Sequence, residues 1–306
     1  MTKHILIVII PCLLILGACA GSGPVGRDWN GIIASYTDDG KTADYQKLTL
    51  LNLALAETGQ LADKAFHYTQ AGSDGIVAPW GQTVESGELL SDIYWSMGHV
   101  AYSQRMAMET NVLDDRDFNP AMMLRLIETN LVYGAYEVAG KYISILESDA
   151  KYRETARVCR HFLYDDNAVE SDPVLGPKRR CIPAGDFISL VRGLDEDLKD
   201  IIRANPEHHK SIEYLGVIYL LDCEMDSFKA MLDEFYGTPA LPELPASFAE
   251  AACMLSEINQ NYWKEVGVSQ KTYNRYREFK KRLGTGLSMD KYNDTFWYYI
   301  MRVNSQ

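Results

Sequence analysis

The sequence predicts an all-α protein whose helices form antiparallel hairpins stacked as an α–α superhelix. Three observations carry this. Apolar residues recur at the spacing of one helix face, and the strict alternation of a half-buried strand is nearly absent. Asn-Pro pairs and isolated glycines punctuate these stretches, as helix starts and stops require. One unit, a helix, a tight turn and a second helix, recurs along the chain.

The elements follow in order. Leu48, Leu51 and Leu55 stripe a first helix that Gly59 ends, and Leu61, Ala65, Phe66 and Tyr68 stripe the next. Leu89, Leu90, Ile93, Tyr94 and Met97 run to Gly98, and a further helix extends to about Thr110. Asn119-Pro120 opens a helix in cap-then-proline order, with Met123, Leu124, Ile127 and Leu131 on one side. Gly134 breaks it, and Tyr136 to Leu146 returns antiparallel. Asn205-Pro206 repeats the start signal before Ile212, Leu215, Ile218 and Tyr219, whose partner is Asp226 to Phe235. Pro239, Pro242 and Pro245 then make a stiff joint, a candidate sub-boundary at 237–246, before the C-terminal helices.

Three copies of the unit align: Leu53-x-x-Ala56-x-x-Gly59-x-Leu61-x-x-x-Ala65-Phe66, Glu128-x-Asn130-x-x-x-Gly134-x-Tyr136-x-x-Ala139, and Tyr214-Leu215-x-x-x-Tyr219 leading to Phe228. They resemble degenerate tetratricopeptide-type (TPR-like) hairpins, in which small residues let two helices approach and an aromatic fills the gap to the next pair. The alternative is a single irregular helical bundle.

The start of the chain reads differently. A weakly basic Met1-Thr2-Lys3-His4 precedes an apolar run from Ile5 to Leu16, shorter than the 17–25 or so residues a bilayer core needs. It ends in Leu16-Gly17-Ala18-Cys19, which resembles the lipobox of bacterial lipoproteins. The resemblance implies a signal peptide over 1–18, cleavage before Cys19, a diacylglyceryl thioether on its sulfur and acylation, for instance by palmitate, of the new amine. More than one acyl chain makes a stable anchor. Residues 19–27 read as a flexible tether with a reach of about 15 Å, and 28–306 as the helical domain. Ala20 in place of Asp favours the outer membrane, and the missing acidic export signal favours its periplasmic face.

The chain carries 30 Lys+Arg against 42 Asp+Glu, a net charge of −12, and loses Lys3 with the signal. So acidic a protein has no electrostatic footprint for nucleic acid. Anionic lipid would repel it too, so the lipid on Cys19 must hold it at the membrane. Cys159, Cys181, Cys223 and Cys253 remain in the body. An exported compartment permits disulfides. Cys159 and Cys181 flank a Pro- and Gly-rich loop and form the candidate pair, against the alternative of free buried thiols.

Several motifs fail on context. Gly21-x-Gly23-x-x-Gly26 lacks the strand and helix of a dinucleotide site. Gly40-Lys41-Thr42 is similar to the end of a phosphate loop, but Ser35 stands where its first glycine belongs. Asp115-x-Asp117-x-Asn119 starts like a calcium loop, yet Pro120 takes the turn-glycine position and Leu126 the bidentate-Glu position. Adjacent His208 and His209 point about 100° apart on a helix and cannot chelate together; they read as solvated surface. Cys159-x-His161 is equally weak for zinc. No cofactor, metal or catalytic residue is expected. Lys271, Arg275, Arg277, Lys280, Lys281 and Arg282 make the one basic stretch, either a solvated helix face or a docking face for an acidic partner or lipid headgroups. Trp80 and Trp95 are candidate ligand-stacking aromatics, with helix-crossing core as the alternative.

Finally, Leu51 to Leu61, Glu128-Thr129-Asn130-Leu131 with Tyr136-Glu137-Val138-Ala139, and Thr295-Phe296-Trp297-Tyr298-Tyr299 resemble the soluble region of an uncharacterised Bacteroidetes family. Its longer members place a multi-spanning membrane domain before such a region. The resemblance implies a helical fold and an envelope compartment. The expected function is a non-enzymatic, envelope-anchored scaffold for a protein or peptide partner. The alternative is a glycan-binding lipoprotein of a nutrient-uptake system.

Overall fold

The computed structural model describes residues 27–38, 44–116, 119–185 and 193–304. Cys19, the signal, the tether through residue 26, Asp117 and the two glycine motifs lie outside them. Arg27, the last residue of the expected tether, is described and pairs with Asp92. Seventeen α-helices are present among the described residues: α1 (Trp29–Ser35), α2 (Tyr45–Glu57), α3 (Leu61–Lys64), α4 (Val84–Met97), α5 (Val100–Leu113), α6 (Pro120–Val132), α7 (Tyr136–Ser148), α8 (Arg153–Arg160), α9 (Asp166–Ser171), α10 (Leu175–Arg180), α11 (Leu194–Ala204), α12 (His209–Leu221), α13 (Met225–Phe235), α14 (Ala246–Leu255), α15 (Tyr262–Glu265), α16 (Gln270–Arg282) and α17 (Phe296–Val303). Among these residues there is no named strand, and no helix is long and apolar enough to cross a membrane. Consecutive helices pack as pairs, the arrangement of a helical-repeat superhelix.

Local chemistry explains most boundaries. Asn119 caps α6, its Oδ1 accepting from the amides of Ala121 and Met122 at 3.1 Å each. Gly98 and Gly134 turn the chain between the two helices of a pair at φ +84° and +71°, a region that costs a side chain dearly. Within the α4–α5 pair the hydroxyls of Ser91 and Ser103 donate to each other's carbonyls at 3.0 and 2.8 Å. A Cβ on Gly87 would stand 2.0 Å from Thr110 Oγ1. The same close approach brings α12 onto α14, where a Cβ on Gly216 would meet the Phe248 ring at 2.1 Å. Small residues at crossings thus do what the repeat requires.

Other elements depart from expectation. The stretch after Gly59 is not a full helix: α3 spans four residues and passes into a 3-10 turn over Ala65–His67. A loop then follows, held by buried side-chain amides. Asn205 does not cap α12; its Nδ2 donates to Pro177 O at 3.0 Å, a tie to a helix far back in the chain. At the proline joint, Ala240 and Leu241 are buried in a core that also holds residues from both sides of it.

There are two principal cores. The larger joins α2–α4 to the helices from α11 onward, so the first and last thirds of the chain pack together. Ser247 donates to Ala62 O, and Ala246 N–H donates to Asp63 Oδ1 at 2.7 Å across that junction. The smaller core runs from Trp95 to Leu175. The pairing expected of Cys159 and Cys181 is not formed. Both are free buried thiols, and they sit in different cores.

Candidate functional site

The densest polar cluster lies where α4 leaves the larger core for the smaller. Asp92, Trp95 and Ser96 stand on its last turns. Asp92 Oδ1 accepts from Arg125 of α6 at 3.0 Å, and its Oδ2 pairs with Arg27 at 3.0 Å. Arg125 reaches on to Glu128 at 2.8 Å and places its guanidinium 4.3 Å from the centre of the Trp95 ring. Burial raises the pKa of both Asp92 and Glu128, against the pull of Arg125.

Lys178 of α10 lies 5.5 Å from the same ring. Its Nζ donates to Ser96 O at 3.3 Å and meets His208 Nε2 at 2.8 Å. Ser211 gives its proton to Met97 O at 2.8 Å and so accepts from His208 Nδ1, also at 2.8 Å. That leaves Nε2 bare, as an acceptor for the lysine. Burial pushes Lys178 down to about 7 and His208 well below its usual range. The chain of bonds continues from Tyr214 OH to Ser96 Oγ at 3.3 Å, from Ser96 Oγ to Glu57 at 2.6 Å, and from Glu57 to Lys210 at 2.8 Å. Burial works to raise the Glu57 pKa, yet Lys210 and Ser96 leave it lowered.

A lysine poised near neutrality can attack a carbonyl. Here the amine is spent on two acceptors and is 7% exposed, so a substrate has no approach. A second suggestive set, Cys181, His99 and Asp197, is wired the same way. His99 Nε2 faces Asp197 Oδ2 at 3.2 Å, and its Nδ1 accepts from Tyr102 N–H at 3.3 Å, so neither nitrogen serves the thiol. Burial raises the Cys181 pKa, the opposite of what a nucleophile needs. Both sets hold elements together.

The expected site residues are thus redistributed. Trp95 is not a stacking platform, since it is buried and Arg125 and Lys178 lie over its ring. Trp80 is half-buried, with its indole N–H enclosed and without a hydrogen-bond partner among the described residues. His208 is a tied internal residue, not solvated surface, because α10 folds back over it. His209 does remain exposed. Among the described residues no group of three or more His, Cys, Asp or Glu is placed to hold a metal ion.

The basic stretch takes the form of a cleft. Lys271, Asn274, Arg275, Arg277, Glu278 and Lys281 of α16, with Lys291 and Tyr292, line an open volume of about 650 Å³. Arg275 pairs with Asp294 at 2.6 Å, and Lys291 with Glu278 at 2.9 Å. Lys271, Arg277 and Lys281 are exposed and make no ion pair among the described residues. Lys280 and Arg282, of the same run, are turned away to Glu257 and to Ser288 O. Three of the six cations are thus free and three are tied by partners from other elements.

Asp92, Arg125 and Lys178, which belong to no sequence motif, carry the buried network with Glu128, which entered the sequence analysis only as a repeat position. One signal points to Arg125: it interrupts the apolar face Met122, Met123, Leu126 and Ile127, where a charge survives only if paired. No curated protein and no solved structure gives a significant match to the chain. A family model described as a family of unknown function (DUF6057) matches residues 25–302. With all but the ends of the sequence inside that match, the chain belongs to the DUF6057 family.

Proposed function

We propose that this protein is a non-catalytic helical-repeat module, anchored in the cell envelope through lipidated Cys19, that binds an acidic segment of a protein partner in the α16 cleft. One observation carries the binding reading: on a chain of net charge −12, three cations without an ion pair among the described residues share one open cleft. The rest of the surface repels an acidic segment, so the cleft concentrates it. The buried Lys178 and His99 clusters support the non-catalytic reading, because their reactive atoms are already committed. The Leu16-Gly17-Ala18-Cys19 motif supports the anchor, and the outer membrane, periplasmic side, is the favoured address.

Two measurements test this. Labelled palmitate should enter the wild type in cells and not Cys19→Ala, which should be released; equal, unlabelled release of both would end the anchored reading. A fluorescent oligoglutamate peptide should bind the soluble body at low salt and weaken steeply as salt rises. Lys271→Gln/Arg277→Gln/Lys281→Gln should weaken it about tenfold, the summed worth of three exposed charges. Unchanged affinity in that variant, or preference for phosphatidylglycerol vesicles over the peptide, would remove the acidic-segment reading.

A further inference from the structure

A second cavity, of about 480 Å³, is independent of the cleft and of the anchor. One wall is the loop over 67–72 and the other is α17. Both walls are fixed from behind. Asn52, fully buried, donates to Gln70 Oε1 at 3.0 Å and to Gly75 O at 2.8 Å. Gln70 donates to Ala65 O at 2.7 Å. Asp222 Oδ1 accepts from Ser73 N–H at 3.1 Å, next to Gly72 at φ +67°. Helix α17 is seated by Trp297 Nε1 on Glu250 O at 2.8 Å and by Tyr299 OH on Leu221 O at 2.7 Å. A buried amide pair is costly unless fully satisfied. Here it is satisfied, and it holds an irregular loop beside the hollow.

Between these walls the rings of Phe66, Tyr68, Tyr298 and Tyr299 are among the lining groups, with Arg302 as a lining cation. Arg302 is exposed and makes no ion pair or hydrogen bond among the described residues. His67 also lines the cavity, and burial lowers its pKa, so it adds no charge at neutral pH. Asp38 lies on the loop side, its Oδ2 accepting from Thr69 N–H at 2.6 Å. Pre-formed volume, aromatic walls and one unspent guanidinium are the attributes of a small-ligand site. A planar fork of N–H donors favours a carboxylate held by two bonds, and tyrosine faces favour a flat ring.

We propose that this cavity binds a small aromatic carboxylate, its ring against the tyrosines and its carboxylate on Arg302. The probes are phenylacetate, its uncharged isostere phenylacetamide, and acetate, titrated against the mature protein by ligand-observed NMR. Phenylacetate should bind saturably, with the other two at least about tenfold weaker, as expected for losing a charge-assisted bond or the ring contact. Arg302→Gln should weaken phenylacetate by about the same factor and leave phenylacetamide unchanged. Its unfolding midpoint should match the wild type, because the side chain ties nothing. Tyr298→Ala should weaken both ring-bearing probes. Absent binding, equal binding of acetate and phenylacetate, or an Arg302→Gln variant that still prefers the carboxylate would each overturn the assignment. None of these outcomes depends on Lys271, Arg277 or Lys281.

Discussion

Replacing Arg125 with Met is expected to destabilise the protein by about 3–5 kcal/mol, the usual cost of leaving buried charges without their partner. Asp92 is 2% exposed and would keep only Arg27, while Glu128 would lose the cation it faces. The carboxyls would respond by taking up protons, so the deficit should shrink as pH falls. Arg125→Lys should recover part of the loss: it restores a charge but neither the fork between two carboxylates nor the flat contact with Trp95. The triple change Asp92→Asn/Arg125→Met/Glu128→Gln should cost less than Arg125→Met alone, because it removes the unpaired charges together. Urea unfolding of the four proteins measures this. A midpoint for Arg125→Met equal to the wild type would show that the cluster is solvated and not buried as described.

The second large effect is a stability minimum near neutral pH. Glu250 is pushed up to about 8 by burial, against the amide of Phe296 that its Oε2 accepts at 2.8 Å. In the unfolded chain it ionises near its ordinary value of 4.5. Between these pH values the unfolded chain has released the proton and the folded one has not, so stability falls as pH rises. Lys178 works in the opposite sense. It ionises near 10.5 when unfolded and about 7 when folded, so the unfolded chain holds the extra proton in that window and stability grows with pH. From pH 5 to 7 the Glu250 loss amounts to about 3 kcal/mol, and from pH 7 to 9 the Lys178 gain is similar. Above that, buried thiols and phenols with raised pKa values, among them Cys159 and Tyr94, turn the curve down again. Glu250→Gln should flatten the acidic limb and Lys178→Met the alkaline limb, each leaving the other in place. Urea midpoints from pH 5 to 9 give the answer. His208, held well below its ordinary range, opposes Glu250 on the acidic side. The test is therefore the difference from wild type, and limbs that Glu250→Gln and Lys178→Met leave unchanged would contradict both assignments.

How far the amino-acid order foretells this molecule varies with the range of the interaction. Asn119 and Pro120 start a helix wherever they are placed, because the amides they satisfy are two and three residues away. Gly98 and Gly134 end turns for an equally local reason. The helical class, the hairpin repeat and the basic row on α16 are therefore readable. His208 is not, because its neighbours Glu207 and His209 are polar and exposed, while the lysine that ties it, Lys178, comes from α10. Trp95 escapes for the same cause, since Arg125 and Lys178 reach it from other helices. The pairing expected of Cys159 and Cys181 follows the loop between them and does not register that each belongs to a separate core.

Short-range rules, then, suffice for where most helices begin and which face is apolar, since both depend on residues within one or two turns. Which helices meet does not follow from them. The closure of the first third of the chain on the last, the partition into two cores, and the meeting of the 67–72 loop with α17 all come from burying apolar faces that many alternative pairings could cover. Side-chain fit selects among those pairings: Gly216 beneath Phe248, Gly87 against Thr110, and a buried charge network that ties α4 to α6 through Asp92 and Arg125.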